Sequence, residues 1–180
     1  MTKRILVAID GSDEAIEAAR FAATEWPDAS LTLLHVINPA DSATGAEGGF
    51  PGAAEQWYQS ARDRGERILD RAVDTLDRDV ETRLEIGRPT RAILDVAHGA
   101  ESVGSGDGGG DGDGDDDSVD GGDGDVGGDD DGVDGDEEDG VPFDHVVLAS
   151  QGRTGLSRVF LGSVAEGVVR RAEVPVTVVR

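Results

Sequence analysis

A loop between two predicted regular elements carries the residues whose types and spacing best suit chemistry. It follows the apolar run at residues 146–149, which is short enough for a strand buried on both faces. Two guanidinium groups, Arg153 and Arg158, lie in the loop. Ser163 is a suitable N-cap for the helical pattern that follows, so free N–H groups and the positive end of a helix dipole are expected there. The combination predicts an anion site, with phosphate as the best match, although an ordinary strand-to-helix connection has the same pattern.

Nine predicted elements position this loop, and strands alternate with helices along the whole chain. The predicted strands are at residues 4–9, 31–37, 80–86, 146–149 and 174–179, and the helices follow Ser12, span 53–77 and 90–99, and start at 163. Regular alternation predicts an α/β fold with a doubly wound parallel sheet and helices on both faces. Ligands bind such sheets at the carboxyl ends of the strands, where the strand order reverses. If the first and fourth strands flank that reversal, Asp10 faces the loop.

Two of these elements carry a more specific prediction. Gly65 lies in the middle of the long second helix, where glycine lowers helix stability. We therefore expect another element to approach the helix closely at this residue. Residues 80–86 alternate polar and apolar side chains, as in a strand near the edge of a sheet.

The charge of the chain limits the classes of partner. The 180 residues include 39 acidic and 16 basic side chains, for a net charge of −23, and Lys3 is the only lysine. An acid excess with almost no lysine indicates a halophilic protein of a cytoplasm at high salt, where screening removes self-repulsion. Nucleic-acid binding is excluded because it needs a basic face. No apolar run approaches the ~20 residues of a membrane span, and without cysteine there is no disulfide or thiolate metal site.

An acidic insert interrupts what is otherwise a single domain over residues 1–180. Residues 101–140 hold 18 of the acidic residues and 15 of the 27 glycines, with only four valines as apolar side chains. Such a segment cannot bury enough apolar surface to offset its chain entropy, so we expect it to be disordered. Asp111, Asp113 and Asp115 alternate as in a calcium loop, but Gly122 stands where that loop needs its glutamate.

The chain resembles the universal stress protein family at several points in the correct order. The first strand and turn of the family match residues 5–12, Ile-Leu-Val-Ala-Ile-Asp-Gly-Ser, and its second strand matches residues 33–36, Leu-Leu-His-Val. Residues 85–89, Glu-Ile-Gly-Arg-Pro, match the turn after the third strand. The closing strand of the family is similar to the stretch between Val174 and Val179.

The late signature of nucleotide-binding family members makes the resemblance specific. That signature is a glycine, two residues, a second glycine, nine residues, and then glycine with serine or threonine. Gly152, Gly162 and Ser163 match it, and Ala149 stands in place of the first glycine.

The resemblance implies strand order 3-2-1-4-5 and a cytoplasmic stress-response or regulatory protein that binds ATP, alone or with Mg²⁺, with little or no catalysis. It also implies a homodimer through the edge strand at residues 174–179. By position, Asp10 would contact the ribose or adenine and Val36 the adenine through its backbone, while the three signature residues would hold the phosphates. Further predicted ligand-binding residues adjoin these in sequence: Ser12, Ala149, Ser150, Gln151 and Arg153.

Two other functions remain open at this stage. One is an enzyme that cleaves or transfers at an adenine nucleotide, and the other is a family member that binds no nucleotide and acts by protein contact. No P-loop or dinucleotide motif is present, and Asp10 has no second acid in sequence reach to complete a catalytic pair. The histidines His35, His98 and His145 lack metal-ligand spacing, so we predict no metal site and structural roles for all three.

Overall fold

The computed structural model describes residues 2–42, 53–99, 141–150 and 161–180. Its contacts divide the chain into two units, and every described residue belongs to the first, Met1–Ser102 with Asp139–Arg180. The predicted insert at residues 101–140 lies outside the described residues. Among the helices of the described ranges, none is long and apolar enough to cross a membrane.

The described residues form a five-stranded, all-parallel sheet in the order β3-β2-β1-β4-β5. In chain order the elements are β1 (Arg4–Ala8), α1 (Asp13–Glu25), β2 (Ser30–Ile37), α2 (Ala53–Val73), β3 (Glu81–Ile86), α3 (Pro89–Ala97), β4 (His145–Ala149), α4 (Ser163–Arg171) and β5 (Val176–Val179). A short 3₁₀ turn, Pro39–Ser42, follows β2. The predicted doubly wound sheet and its strand order are confirmed, and β3 lies at an edge as its alternating pattern predicted.

One hydrophobic core forms on each face of the sheet. Because successive side chains of a strand point to opposite faces, Ile5 and Val7 of β1 pack with α1 and α2, whereas Leu6 packs with α3 and α4. All three side chains are fully buried. Each therefore contributes about 1.5–3 kcal/mol of apolar burial, which makes β1 the centre of the fold.

Several predicted boundaries were wrong, among them the end of the second helix, the start of the fifth strand and the N-cap of the last helix. The second helix ends at Val73 rather than near residue 77, because Thr75 N–H bonds to Ala72 C=O and tightens the last turn. The fifth strand starts at Val176, since Pro175 has no N–H for the ladder and only its C=O accepts, from Val146. Ser163 is the first helical residue of α4 and not its N-cap.

Gly65 allows α2 to lie against β2 and β3, as the sequence predicted. A Cβ atom at this position would lie 2.6 Å from Leu84 Cδ1 and 3.0 Å from His35 Cδ2. Both distances are shorter than ordinary carbon contacts. Glycine therefore stands here because the helix packs directly on the side chains of two neighbouring strands.

Replacing Gly65 by valine should destabilise the protein. The added methyl groups must displace Leu84 and His35, and overpacking of this kind costs about 1–3 kcal/mol. Chemical denaturation measures the free energy of unfolding. Arg67→Val, at an exposed position of the same helix, is the control for the cost of a β-branched residue in a helix. Equal stability of the two variants would contradict the close packing.

His145 begins β4 and is buried at the amino end of the sheet. Its Nε2 lies 2.8 Å from Thr177 Oγ1, and its ring packs on Trp26 with centroids 4.8 Å apart. Burial of the imidazole, with the charge of Lys3 as the smaller cause, lowers the pKa of His145. The folded protein therefore holds this histidine neutral at pH values where the unfolded chain already binds a proton.

Stability should fall on acidification because of His145. As the pH drops below about 6.5, the unfolded chain gains a proton before the folded chain does, and the loss is complete below the folded pKa. Denaturation between about pH 5 and 8 should show a difference in unfolding free energy between wild type and His145→Gln that decreases toward low pH. His98→Gln, at an exposed histidine, is the control. A difference that does not change with pH would contradict the prediction.

Candidate functional site

A cavity of about 270 Å³ opens at the carboxyl ends of β1, β2 and β4. It lies where the strand order reverses between β1 and β4, which is where doubly wound sheets bind ligands. The first residues of α3 and α4 complete its wall. The polar and glycine residues of its lining are Asp10, His35, Asn38, Asp41, Ser150, Gly162 and Ser163.

The structure brings together six of the ten predicted ligand-binding residues. Those that line the cavity are Asp10, Val36, Ala149, Ser150, Gly162 and Ser163. Ser12 does not line it but contacts Asp10 directly. The remaining three, Gln151, Gly152 and Arg153, lie outside the described residues, as does Arg158.

Asp10 is held in the turn that leads from β1 into α1. Its Oδ1 accepts from Ser12 N–H at 2.9 Å and from Ser12 Oγ at 2.5 Å. Ser12 is the N-cap of α1, as predicted, because its Oγ accepts from Ala15 N–H at 3.1 Å. Gly11 makes this turn possible with a φ of +88°, which a glycine adopts without strain. The carboxylate at the cavity and the start of α1 therefore form one fixed unit.

The N-terminus of α4 forms the opposite side of the cavity. Gly162 is the N-cap residue, and it makes no side-chain cap hydrogen bond because it has no side chain. Its N–H donates to Ser150 C=O at 2.8 Å, which fixes the start of α4 beside the end of β4. Ser163, Val164 and Ala165 follow along the cavity wall. The first N–H groups of α4 are therefore placed to donate to an anion, with the helix dipole in their favour.

Ala149, which replaces the first glycine of the signature, is the last residue of β4. It pairs in register with Val179 of β5, so its backbone is extended. An extended residue accepts a methyl group without strain. The alanine therefore imposes no backbone cost at this position.

The backbone of Val36 is directed toward the cavity. Peptide groups along a strand point alternately to the two neighbouring strands. On the β1 side, Leu34 C=O accepts from Ile9 N–H at 2.8 Å, and on the β3 side Ile37 C=O accepts from Gly87 N–H at 2.9 Å. Val36 therefore directs its N–H and C=O to the β1 side. There the paired register between β1 and β2 ends two residues earlier, at Leu34.

A family model, the universal stress protein family, matches residues 1–101 and 125–180. The chain belongs to the universal stress protein family. Universal stress protein Rv2005c of Mycobacterium tuberculosis is 28% identical over 97% of this chain and 47% of its own length. Universal stress protein MJ0531 of Methanocaldococcus jannaschii is 24% identical over 99% of this chain and 82% of its own. The chain thus spans about half the length of the mycobacterial relative.

Solved structures share the fold of this universal stress protein. Hypothetical protein MJ0577 superposes with a TM-score of 0.59 at 22% identity, over 99% of this chain and 96% of that chain. Universal stress protein UspA from Lactobacillus plantarum superposes with a TM-score of 0.55 at 20% identity, over 99% and 97%. At these identities the likeness concerns the fold alone.

Twelve residues that line this family member's cavity were not among the predicted ligand-binding residues, and five of them lie between residues 35 and 93. These five are His35, Asn38, Asp41, Pro89 and Ile93. Their positions in the predicted elements could have identified them, because all five lie near the end of β2, just after it, or in the first turns of α3. His35 was predicted to be structural, and it is both buried and part of the cavity wall.

A second, smaller cavity adjoins the first on the α2 side. It encloses about 100 Å³ and shares its wall with the first through His35, Val36, Asn38 and Asp41. Its other residues include Trp57 and Arg64 of α2.

The charges of the described cavity lining are negative. Asp10 and Asp41 carry carboxylates, and no arginine or lysine is among the described residues of the first cavity. No group of three or more histidine, aspartate or glutamate side chains in the described ranges could hold a metal ion. An anionic ligand would therefore depend on the N–H groups of α4, on the ligand's own counterion and on any charge from residues 151–160.

Proposed function

We propose that this universal stress protein is a stress-response or regulatory protein that binds ATP in the cavity at the β1–β4 crossover. The observation that carries the proposal is the pairing of two kinds of backbone group across one cavity. The peptide edge of Val36 lies on one side, and the side-chain-free N-cap of α4 lies on the other. The first suits the edge of a base, and the second suits a phosphate.

Adenine matches the peptide edge of Val36. Its exocyclic amine donates and its ring nitrogens accept, so a backbone C=O and N–H can bind it together. Asp10, at the end of the neighbouring strand, can accept from a ribose hydroxyl. The phosphates would then reach the N-terminus of α4, with Gly162 and Ser163 beside them. Gln151, Gly152 and Arg153 remain part of the proposed site through the family signature.

Mg²⁺ accompanies ATP in this proposal. Because the described lining carries two carboxylates and no basic side chain, a divalent cation on the phosphates reduces repulsion. The protein itself supplies no metal cluster among its described residues. We propose no catalytic residue, so that ATP acts as a bound signal and is turned over slowly or not at all.

Equilibrium binding tests this function. Calorimetry with Mg-ATP in molar KCl should give a micromolar dissociation constant, and nucleotide that copurifies should appear as absorbance near 260 nm after denaturation. Molar salt is part of the design, since the net charge of −23 predicts a protein of a salt-rich cytoplasm. Undetectable binding at millimolar nucleotide would refute the proposal. Turnover above roughly 1 s⁻¹ would instead favour a nucleotide-cleaving enzyme.

We also propose a homodimer through β5. This strand is at the sheet edge and borders only β4, and all four of its residues are partly exposed. An open edge of valine-rich strand is a template for a second strand. A second copy of the chain would cover it.

A further inference from the structure

The ladder between β1 and β2 ends at the cavity, where its last paired residues, Ala8 and Leu34, are part of the lining. Ile9 N–H donates to Leu34 C=O at 2.8 Å, as the parallel register requires. The next bond of a parallel ladder would run from Val36 N–H to Ile9 C=O. The paired register instead ends at Ala8 and Leu34.

The side chain of His35 takes the place of that missing bond. Its Nδ1 lies 2.7 Å from Ile9 C=O. Because a carbonyl oxygen can only accept, Nδ1 must carry the proton and donate. The imidazole is buried, with 7% of the residue exposed. The Ile9 carbonyl therefore has a donor without using the Val36 N–H.

Packing holds the imidazole in this position. Gly65 of α2 leaves the space beside the ring, since a Cβ there would lie 3.0 Å from His35 Cδ2. Ile9 is itself buried and precedes Asp10, the carboxylate of the cavity. One histidine thus fixes the end of β1 immediately before a predicted ligand contact.

We propose that His35 is a positioning residue that keeps the backbone edge of Val36 open for the base of the ligand. By satisfying the Ile9 carbonyl, the imidazole prevents β1 and β2 from pairing one residue further and closing that edge. The inference rests on the proposed function for its ligand. The arrangement of hydrogen bonds that it requires can be measured without any ligand.

The first test measures hydrogen bonds in the free protein by NMR. Wild type should show no scalar coupling across a hydrogen bond between Val36 ¹⁵N and Ile9 ¹³C=O. His35→Leu removes the donor at similar volume, so Val36 N–H should then bond to Ile9, giving that coupling and at least about tenfold slower amide exchange. His35→Asn keeps an N–H donor near the position of Nδ1 and should behave as wild type. Coupling from Val36 to Ile9 in wild type would overturn the proposal even if the leucine variant failed to fold.

The second test separates recognition of the base from recognition of the phosphates. His35→Leu should lower the affinity for Mg-ATP at least about tenfold while leaving inorganic triphosphate binding within about twofold, and His35→Asn should retain ATP binding within about threefold. Equal losses for ATP and triphosphate would indicate a general structural role and overturn the inference. If wild type bound no ATP, the proposed function would fail, whereas the couplings would still report whether His35 holds the ladder open.

Discussion

Replacing Gly162 by aspartate should strongly weaken ATP binding and at the same time make the protein slightly more stable. The backbone of Gly162, with φ −61° and ψ 155°, is one that any residue adopts without strain. An aspartate N-cap accepts from the first N–H groups of α4 and complements the helix dipole, which adds roughly 0.5 kcal/mol to the free energy of unfolding. The same carboxylate occupies those N–H groups and repels the phosphates, so ATP affinity should fall at least about 100-fold even in molar salt.

The opposite signs of the two effects make this variant informative. A variant that loses binding because it unfolds would lose both properties together. Gly162→Asn is the matched control, because it caps the helix with the same shape and no charge. It should reduce ATP affinity by about tenfold, the value of one lost hydrogen bond. Calorimetry and thermal unfolding of both variants complete the test, and wild-type affinity in the aspartate variant would remove α4 from the phosphate site.

Replacing Val178 by proline should convert the proposed dimer into a folded monomer. Val146 N–H bonds to Pro175 C=O and Ser150 N–H bonds to Val179 C=O. The backbone groups of Pro175 and Val179 thus point to β4, and those of successive residues along a strand point to opposite sides. The Val178 N–H therefore points away from β4, toward the open edge. Proline at this position removes only an outward donor, which edge strands tolerate, and blocks pairing with a second copy.

Two controls accompany the proline variant. Val178→Thr keeps the N–H and the β-branch, and should remain dimeric. Thr177→Pro removes an N–H that faces β4 and should disrupt the fold. This variant tests which N–H groups of β5 point to β4 and which point to the open edge. Light scattering in molar salt gives the mass, and circular dichroism reports the fold. A dimer that persists in Val178→Pro would place the interface elsewhere on the protein.

The alternation of periodic patterns was enough to predict the architecture. Apolar runs of strand length alternate with amphipathic helices along the chain. A parallel doubly wound sheet, covered by helices on both faces, buries all of these apolar faces. Gly65 was informative for the same local reason, since a glycine in the middle of a helix lowers helix stability, and close packing explains why it stands there. Predicted boundaries erred by a few residues where the ladder or a tightened turn decided the end, as at Pro175 and Val73.

The candidate site was predictable only where a motif marked it. Asp10, Gly162 and Ser163 belong to signatures that can be read along the chain, and the structure places them around one cavity. Asn38 and Asp41 belong to no signature and were missed. They reach the cavity because the carboxyl end of β2 lies beside that of β1.

The sequence by itself determined which segments are buried strands and helices, because hydrophobic periodicity is a local property of the chain. It also determined the strongly acidic charge, and the positions of the glycines. Only the tertiary structure decided that His35, rather than the backbone of Val36, holds the Ile9 carbonyl. That choice depends on where two strands part and on the space that a helix glycine leaves between them. Such competition between donors depends on distances across the fold, which residue order alone does not contain.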